Sequence, residues 1–375
     1  MNRHAKTVIA LMIAAVGFSG SCLSAADPAP AAAKAPTAAD LARAEQAAHI
    51  KSLDERLRSG KPEDEQQAID ELKTWLSDDA KSAKDAPDIL LRLQTAISNP
   101  KRATDALALA QLVLPKVPEE RADQRRELTS MQIRSQMRLK QFDAGMAAYK
   151  KLLAVEGPGQ LHQLGEDLQA YLFAGQRYHD VEDLSVQLIL AKPEDTPRVE
   201  GALQTQIKAF NLEKRYDKAL AASKQLLWVS TMPHTGEALL AVARQLALAH
   251  PEDKDIVEKF RQEQIDGAKP TTEPTDVVRT SAVLPQIKVD ATPYEAAVKD
   301  IVDGDYDSQM RLGNLLLLTD KPKEAKVAFE TALALSMDKQ GAASTAAEGV
   351  ARSIRAHDGT VCRANAFAMS VSSGK

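Results

Sequence analysis

One pattern of apolar and small residues recurs along most of the chain. A small or apolar residue is followed by further apolar or small residues at offsets of 1, 4, 7 and 8, which places one stripe on one face of a helix. In the copy that starts at Val181 the stripe is interrupted by Glu182. The clear copies start at Ala68, Ala106, Gly145 and Ala219, weaker ones start at Val181 and Ile256, and the last starts at Ala325.

The copies are regularly spaced, which random amphipathic helices would not be. Their starts lie 36 to 39 residues apart up to Ile256, and the last interval is 69 residues. An amphipathic helix also precedes each copy, for example 122–140 and 198–213. A proline, which ends helices, follows most copies: Pro118, Pro158, Pro193, Pro233 and Pro270. Helix pairs at a fixed period predict an all-α fold, an α-solenoid.

Two units resemble the tetratricopeptide (TPR) repeat. The unit 306–337 has the small and apolar residues of that family at Leu312, Gly313, Leu316, Ala325, Phe329 and Ala332, and the unit 200–233 has them at Phe210, Tyr216, Ala219, Leu226 and Pro233. A small residue on each helix lets two backbones approach closely. The usual tryptophan is missing, and Ile133 and Ile207 stand where Gly313 fits the family. The chain therefore resembles a divergent TPR-like array.

The composition divides the chain into five segments. Residues 1–26 have a basic start, a short apolar run and a Ser-Ala-Ala cleavage site, which together predict a signal peptide. Residues 27–39 form an Ala/Pro-rich tether, and 40–265 form the main array. Residues 266–291 contain a Thr/Pro-rich linker and a strap, and 292–375 form C-terminal TPR-like helices. The prediction is an exported protein of the periplasm or cell envelope, or alternatively a secreted one.

Cys22 offers an alternative fate for the amino terminus. It follows Phe18-Ser19-Gly20-Ser21, which resembles the small residues before the lipidated cysteine of bacterial lipoproteins, although Ser19 stands where a leucine is usual. Cys22 is therefore a candidate lipid anchor, and contact with a membrane is expected only there. If the signal is removed after Ala26, Cys362 is the sole cysteine left and no intramolecular disulfide can form.

The net charge and the lack of catalytic motifs restrict the classes of function that the sequence predicts. The net charge is −4, and −6 without the two basic residues Arg3 and Lys6, so nucleic acid is not an expected partner. No metal-ligand spacing, phosphate loop or nucleophile motif is found, so no catalytic residue, cofactor or metal is predicted. The acidic run from Asp303 to Asp307 resembles a calcium loop, but Asn314 stands at the final ligand position, which favours a helix start.

The resemblance implies a peptide-binding groove lined by the first helix of each pair. In the family, the position 11 residues before the start of a copy faces that groove. Here that position carries Arg134, Lys208, Gln245 and Asn314, and Arg138 lies one turn beyond Arg134. These donors could hold a carboxylate or an extended peptide backbone. The alternative is that they are solvated surface residues.

The sequence thus predicts a non-enzymatic scaffold that binds a protein or peptide partner. Two other hypotheses remain open: a lipid-anchored structural component of the envelope, and an α/α-barrel carbohydrate-active enzyme. The second is disfavoured because the chain has only two tryptophans, Trp75 and Trp228, for a sugar platform.

The segment 277–289 is more apolar than a spacer would be. We expect it to lie as an extended strap over the junction between the main array and the C-terminal helices, or to occupy part of the groove and compete with a partner. Its apolar residues are Val277, Val278, Val283, Leu284, Ile287 and Val289.

Overall fold

The computed structural model describes residues 37–78, 85–157, 159–230, 235–268, 281–301, 304–336 and 341–358. Within these ranges every regular element is helical, and none is a strand. The sixteen α-helices are α1 Ala38–Leu57, α2 Pro62–Ser77, α3 Ala86–Ile97, α4 Ala103–Val113, α5 Ala122–Arg138, α6 Phe142–Glu156, α7 His162–Ala174, α8 Tyr178–Ala191, α9 Thr196–Leu212, α10 Tyr216–Val229, α11 Thr235–Ala249, α12 Lys254–Ala268, α13 Thr292–Asp300, α14 Tyr306–Leu318, α15 Pro322–Leu335 and α16 Ala342–Asp358.

The chain forms two compact units, Met1–Lys51 and Ser52–Lys375. The first unit contributes most of α1 to the described residues, and the helices from α2 onward belong to the second. In the second unit consecutive helices pack on one another, as in α9 with α10 and α10 with α11. The predicted all-α, solenoid-like array of helix pairs is confirmed.

A single turn geometry joins the two helices of four pairs. Each turn contains a non-glycine residue with a positive φ of 59° or 60°: Lys140, Gln176, Lys214 and Asp320. In each, the next residue donates its backbone N–H to the carbonyl five residues earlier at 2.8–2.9 Å, as Gln141 does to Gln136 and Lys321 does to Leu316. This is the Schellman ending of a helix. The repeat is therefore present in the backbone geometry as well as in the sequence.

The repeated stripe faces the core. The first residue of six of the seven copies is buried: Ala68, Ala106, Gly145, Val181, Ala219 and Ala325. The copy at Ile256 is only half-buried at its start, but Val257 and Phe260 are buried. At all of these buried starts except Val181 the residue is alanine or glycine, which lets the paired helices approach, because a larger side chain would meet the neighbouring helix. A Cβ on Gly145, for example, would come within 3.2 Å of Met137.

Glu182, which interrupts one stripe, joins neighbouring pairs by charge. Its carboxylate lies 2.8 Å from Arg215 Nη1 and 2.8 Å from Lys218 Nζ, so that α8 is bound to α10. Burial raises the pKa of Glu182, but the hydrogen bonds from Lys218 and Arg215 outweigh this and hold that pKa below its ordinary value. The break in the apolar pattern thus has a structural cause.

The C-terminal helices pack against α10, which lies earlier in the chain than α11 and α12. Both α14 and α16 contact α10. The fully buried Lys224 of α10 donates from Nζ to Asp320 Oδ2 at 2.7 Å and to the carbonyl of Ile287 at 2.9 Å. Trp228 Nε1 donates to the other carboxylate oxygen of Asp320 at 3.2 Å. The turn after α14 is therefore held to α10 by a charged, hydrogen-bonded contact.

Two arginines of α16 satisfy the carboxyl end of α10. Arg352 Nη1 donates to the carbonyl of Val229 at 2.9 Å, and Arg355 Nη2 donates to that of Ser230 at 3.1 Å. The last carbonyls of a helix lack partners within the helix, and cations are favoured there. Burial lowers the pKa of Arg352 to about 10. Arg352 Nη1 also donates to Asn314 Oδ1 at 2.9 Å, so the buried guanidinium has two oxygen acceptors that reduce part of the cost of its desolvation.

The described part of the strap packs against the helices. Val283, Leu284 and Ile287 are buried in the same cluster as residues of α10 and α14, and Val289 is half-buried. Val277 and Val278 lie outside the described residues. A 3₁₀ turn at Leu284–Gln286 interrupts the segment, so the expectation of a fully extended strap is wrong at that point. Pro285 fits a tight turn because its φ is already restricted. Likewise, α12 continues to Ala268, three residues past the predicted end of the array.

Candidate binding groove

Two of the predicted groove residues bind the neighbouring helix pair. Arg134 Nε of α5 lies 2.8 Å from Asp167 Oδ2 of α7. Arg138 Nε donates to the Tyr171 hydroxyl of α7 at 2.9 Å, and its Nη1 donates to the carbonyl of Ser98 at 2.6 Å. Both guanidinium groups therefore have protein partners, which hold α5 to α7 and to the end of α3.

A third predicted groove residue, Asn314, is buried in the contact between α14 and α16. Its Nδ2 donates to the carbonyl of Met310 at 3.1 Å, and its Oδ1 accepts from Arg352 Nη1 at 2.9 Å. The side chain is 1% exposed. It orients an arginine that caps α10, and no surface for a partner is formed there.

The remaining two residues differ in exposure. Lys208 is exposed on α9, and no described residue forms an ion pair with it. Gln245 is 5% exposed and lies at the wall of an open groove. The five predicted residues therefore do not converge on one surface, and only Gln245 lines this groove.

The groove has a volume of about 1120 Å³ and lies where α9, α11 and α12 approach one another. α9 contributes Ile207 and Asn211, and α12 contributes Arg261. The remaining lining comes from α11: Leu239, Leu240, Ala241, Ala243, Arg244, Gln245, Ala247 and Leu248. Most of these side chains are aliphatic, so the groove offers an apolar surface with a few polar groups, as protein binding sites do.

Helix α11 is apolar on two sides, which explains how it can form this wall. Its inner side buries Ala238, Val242 and Leu246 in the core. On the groove side Leu240 is 58% exposed and Leu248 is 43% exposed. A helix with one apolar face needs only one partner, whereas a helix with two apolar faces usually has a second. The described residues leave this second face open.

The polar groups of the groove are of two kinds. Arg244 and Arg261 are exposed, and neither is ion-paired to any residue within the described ranges. Asn211 Oδ1 and Gln245 Oε1 are buried acceptors without a hydrogen-bond partner among those same residues. Buried acceptors of this kind usually have a partner. The groove thus combines positive charge with unsatisfied amide groups.

Sequence reasoning missed the main features of this groove. Leu240, Arg244 and Leu248 stand at i, i+4 and i+8, so they share one helix face. That spacing was visible beside the inner stripe of 238, 242 and 246. The recurring pattern of small and apolar residues marks the second helix of each pair, and α11 is a first helix.

The acidic run that resembles a calcium loop lies at the start of α14. Asp305 begins α14 and accepts from the backbone N–H of Ser308 at 2.8 Å, as expected for an acidic helix start. Over the described ranges, no three His, Cys, Asp or Glu side chains are grouped so that they could hold a metal ion. None of the described helices has the length and apolar character needed to cross a bilayer. Cys22 lies outside the described residues.

Comparison with known proteins adds no family to this geometry. No family model, curated protein or solved structure matches the chain.

Proposed function

We propose that this protein is a non-enzymatic scaffold of the cell envelope, exported by its signal peptide, which binds a protein or peptide partner on a TPR-like helical array. The observation that carries the proposal is the open groove formed by α9, α11 and α12. Its aliphatic walls and two exposed arginines offer what a polypeptide needs: apolar contact area and donors for carboxylate or carbonyl oxygens.

The architecture supports the same function. Stacked helix pairs give extended surfaces that suit polypeptide partners. The groove is formed by residues of three helices that share a buried core, in which Val242, Leu246 and Phe260 are fully buried. A site on such elements is held in place before a partner arrives, which reduces the entropic cost of binding.

Lipidation at Cys22 would place the same scaffold at a membrane surface. In that version of the proposal the Ala/Pro-rich residues before α1 are a tether between the lipid and the array; α1 begins at Ala38, so the tether ends two residues earlier than the sequence predicted. The partner would then be a component at or near that membrane.

Retention of a partner from an envelope extract tests the proposal. The mature chain, tagged at its carboxyl terminus, would be immobilised and incubated with solubilised envelope, and the bound proteins would be measured by quantitative mass spectrometry. We expect at least one protein to be retained saturably and to be competed off by free mature chain. If an unrelated exported bait retained the same proteins in the same amounts, the scaffold proposal would be wrong.

A further inference from the structure

The groove face of α11 has an ordered chemical pattern. Leu240, Arg244 and Leu248 follow one another at intervals of four residues, which is about 6 Å along a helix for each step. The face therefore presents an aliphatic side chain, then a cation, then an aliphatic side chain. Arg261 of α12 adds a second cation to the same groove.

The two leucines are exposed without an evident structural need. Burial of a leucine is worth about 1.5–3 kcal/mol, and Leu240 and Leu248 leave roughly half of their surface in water. Elsewhere in α11 the aliphatic side chains at Val242 and Leu246 are fully buried. Two exposed leucines that flank an arginine on one face are typical of a surface that another chain covers.

The charges determine the chemistry of that chain. Arg244 and Arg261 are ion-paired to none of the described residues, and both line the groove. Desolvating an arginine under a partner is costly unless the partner supplies a carboxylate. An apolar segment without acidic residues would bury these cations unpaired, and a basic segment would be repelled.

We propose that the groove binds an amphipathic acidic helix of a partner protein, in which aliphatic residues flank a glutamate or aspartate at helical spacing. The aliphatic side chains pack against Leu240 and Leu248, and the carboxylate pairs with Arg244 and Arg261. Gln245 also lines the groove, and its buried Oε1 has no hydrogen-bond partner among the described residues. This inference rests on the proposed function and identifies the chemistry of its partner.

A charge-swap experiment with synthetic peptides tests it. The probes are a fluorescent peptide with leucine, glutamate and leucine at successive four-residue intervals, and the same peptide with lysine in place of glutamate. Binding to the full mature chain would be followed by fluorescence anisotropy. We expect the glutamate peptide to bind the wild-type protein at least about tenfold more tightly than the lysine peptide.

Variants locate the contact. Arg244→Glu should weaken binding of the glutamate peptide about tenfold and improve binding of the lysine peptide, and Leu240→Glu should weaken binding of the glutamate peptide. Lys323→Glu and Val327→Glu, on exposed positions of α15, are the matched controls and should change neither affinity. Thermal melts that coincide with the wild-type melt would show that the variants are folded, as expected for changes at exposed positions.

Three results would overturn the proposal: no binding of the glutamate peptide to wild type, equal binding of both peptides, or equal effects of Arg244→Glu and Lys323→Glu. The retention experiment keeps the two proposals apart. If an envelope partner is retained by the wild-type chain and retained equally by the Leu240→Glu and Arg244→Glu variants, the scaffold function stands and this groove is not its site.

Discussion

The ring of Phe329 lies so close to the backbone of Gly313 that a Cβ on Gly313 would come within 2.6 Å of it. Gly349 meets the same ring from α16, where a Cβ would come within 2.4 Å. Phe329 of α15 is thus enclosed by glycines of α14 and α16, and Arg352 lies 5.4 Å from its ring centre. The three helices can pack this closely only because two side chains are absent.

Gly313→Ala should therefore destabilise the protein, although alanine favours helices more than glycine does. The methyl group would force the Phe329 ring or a helix to move, at a cost of about 1–3 kcal/mol. Gly201→Ala is the matched control, because no atom lies within 4 Å of a Cβ there, and it should stabilise by up to about 1 kcal/mol. Urea denaturation of both variants checks the prediction. If Gly313→Ala were as stable as the wild-type protein, the Phe329 ring would be able to move aside without cost, and the prediction would be wrong.

Ala219→Trp should overpack the start of α10. Ala219 is fully buried, and the inserted indole has no space between the paired helices. We expect a loss of about 1–3 kcal/mol or more, spread over neighbouring pairs because they stabilise one another. Hydrogen exchange would locate the loss. Unchanged thermal melting would refute the assignment of this stripe to the core.

These two sites illustrate what the sequence could predict. The stripes and their period predicted the helix pairs, because burial of one face repeats wherever the pairs repeat. The docking of α14 and α16 on α10 was not predictable in this way. It depends on single polar contacts, such as Lys224 with Asp320, between residues 96 positions apart, and these leave no periodic signal.

The candidate site was harder to predict for a related reason. Arg134 and Arg138 stand at suitable positions, yet whether an arginine faces solvent or a neighbouring carboxylate depends on the adjacent helix. Asp167 and Tyr171, which occupy them, lie one repeat away. The second apolar face of α11, in contrast, was readable from Leu240 and Leu248.

Leu284→Ala tests whether the strap contributes to stability. Leu284 is fully buried among residues of the main cluster, so truncation should cost about 2–5 kcal/mol. Lys288→Ala, at an exposed position of the same segment, should have almost no effect. Chemical denaturation measures both. Binding of the acidic peptide should be unchanged in Leu284→Ala, whereas tighter binding would favour the hypothesis that the strap competes for the groove.

Alkaline pH should destabilise the protein partly through Tyr149. Burial raises the pKa of Tyr149 from 10.0 to about 12. Because the folded-state pKa is the higher one, its stabilising contribution is complete below pH 10 and is lost as the pH rises from 10 to 12. Tyr149→Phe should remove that part of the decline. Stability measured against pH for both proteins checks this, and parallel curves would contradict it.

Processing of the amino terminus gives a direct test of export. Intact-mass analysis of the protein purified from its own cells should show a start at or near Asp27, or a lipid-modified Cys22. An unprocessed Met1 in the cytoplasmic fraction would contradict the predicted compartment. It would leave the fold and the groove unaffected.

The attachment of α16 to α10 has a consequence for the order of folding during synthesis. Ser230 receives its hydrogen bond from Arg355, which is 125 residues later in the chain. When the ribosome has completed α10, the buried ammonium of Lys224 and the last carbonyls of the helix still lack their partners. The pairs from α2 to α8 can assemble as they emerge, because their contacts are local. The contacts of α10, in the middle of the array, are completed only after α16 has been synthesised. A nascent chain that stops before Arg352 therefore lacks the hydrogen bonds that satisfy the end of α10.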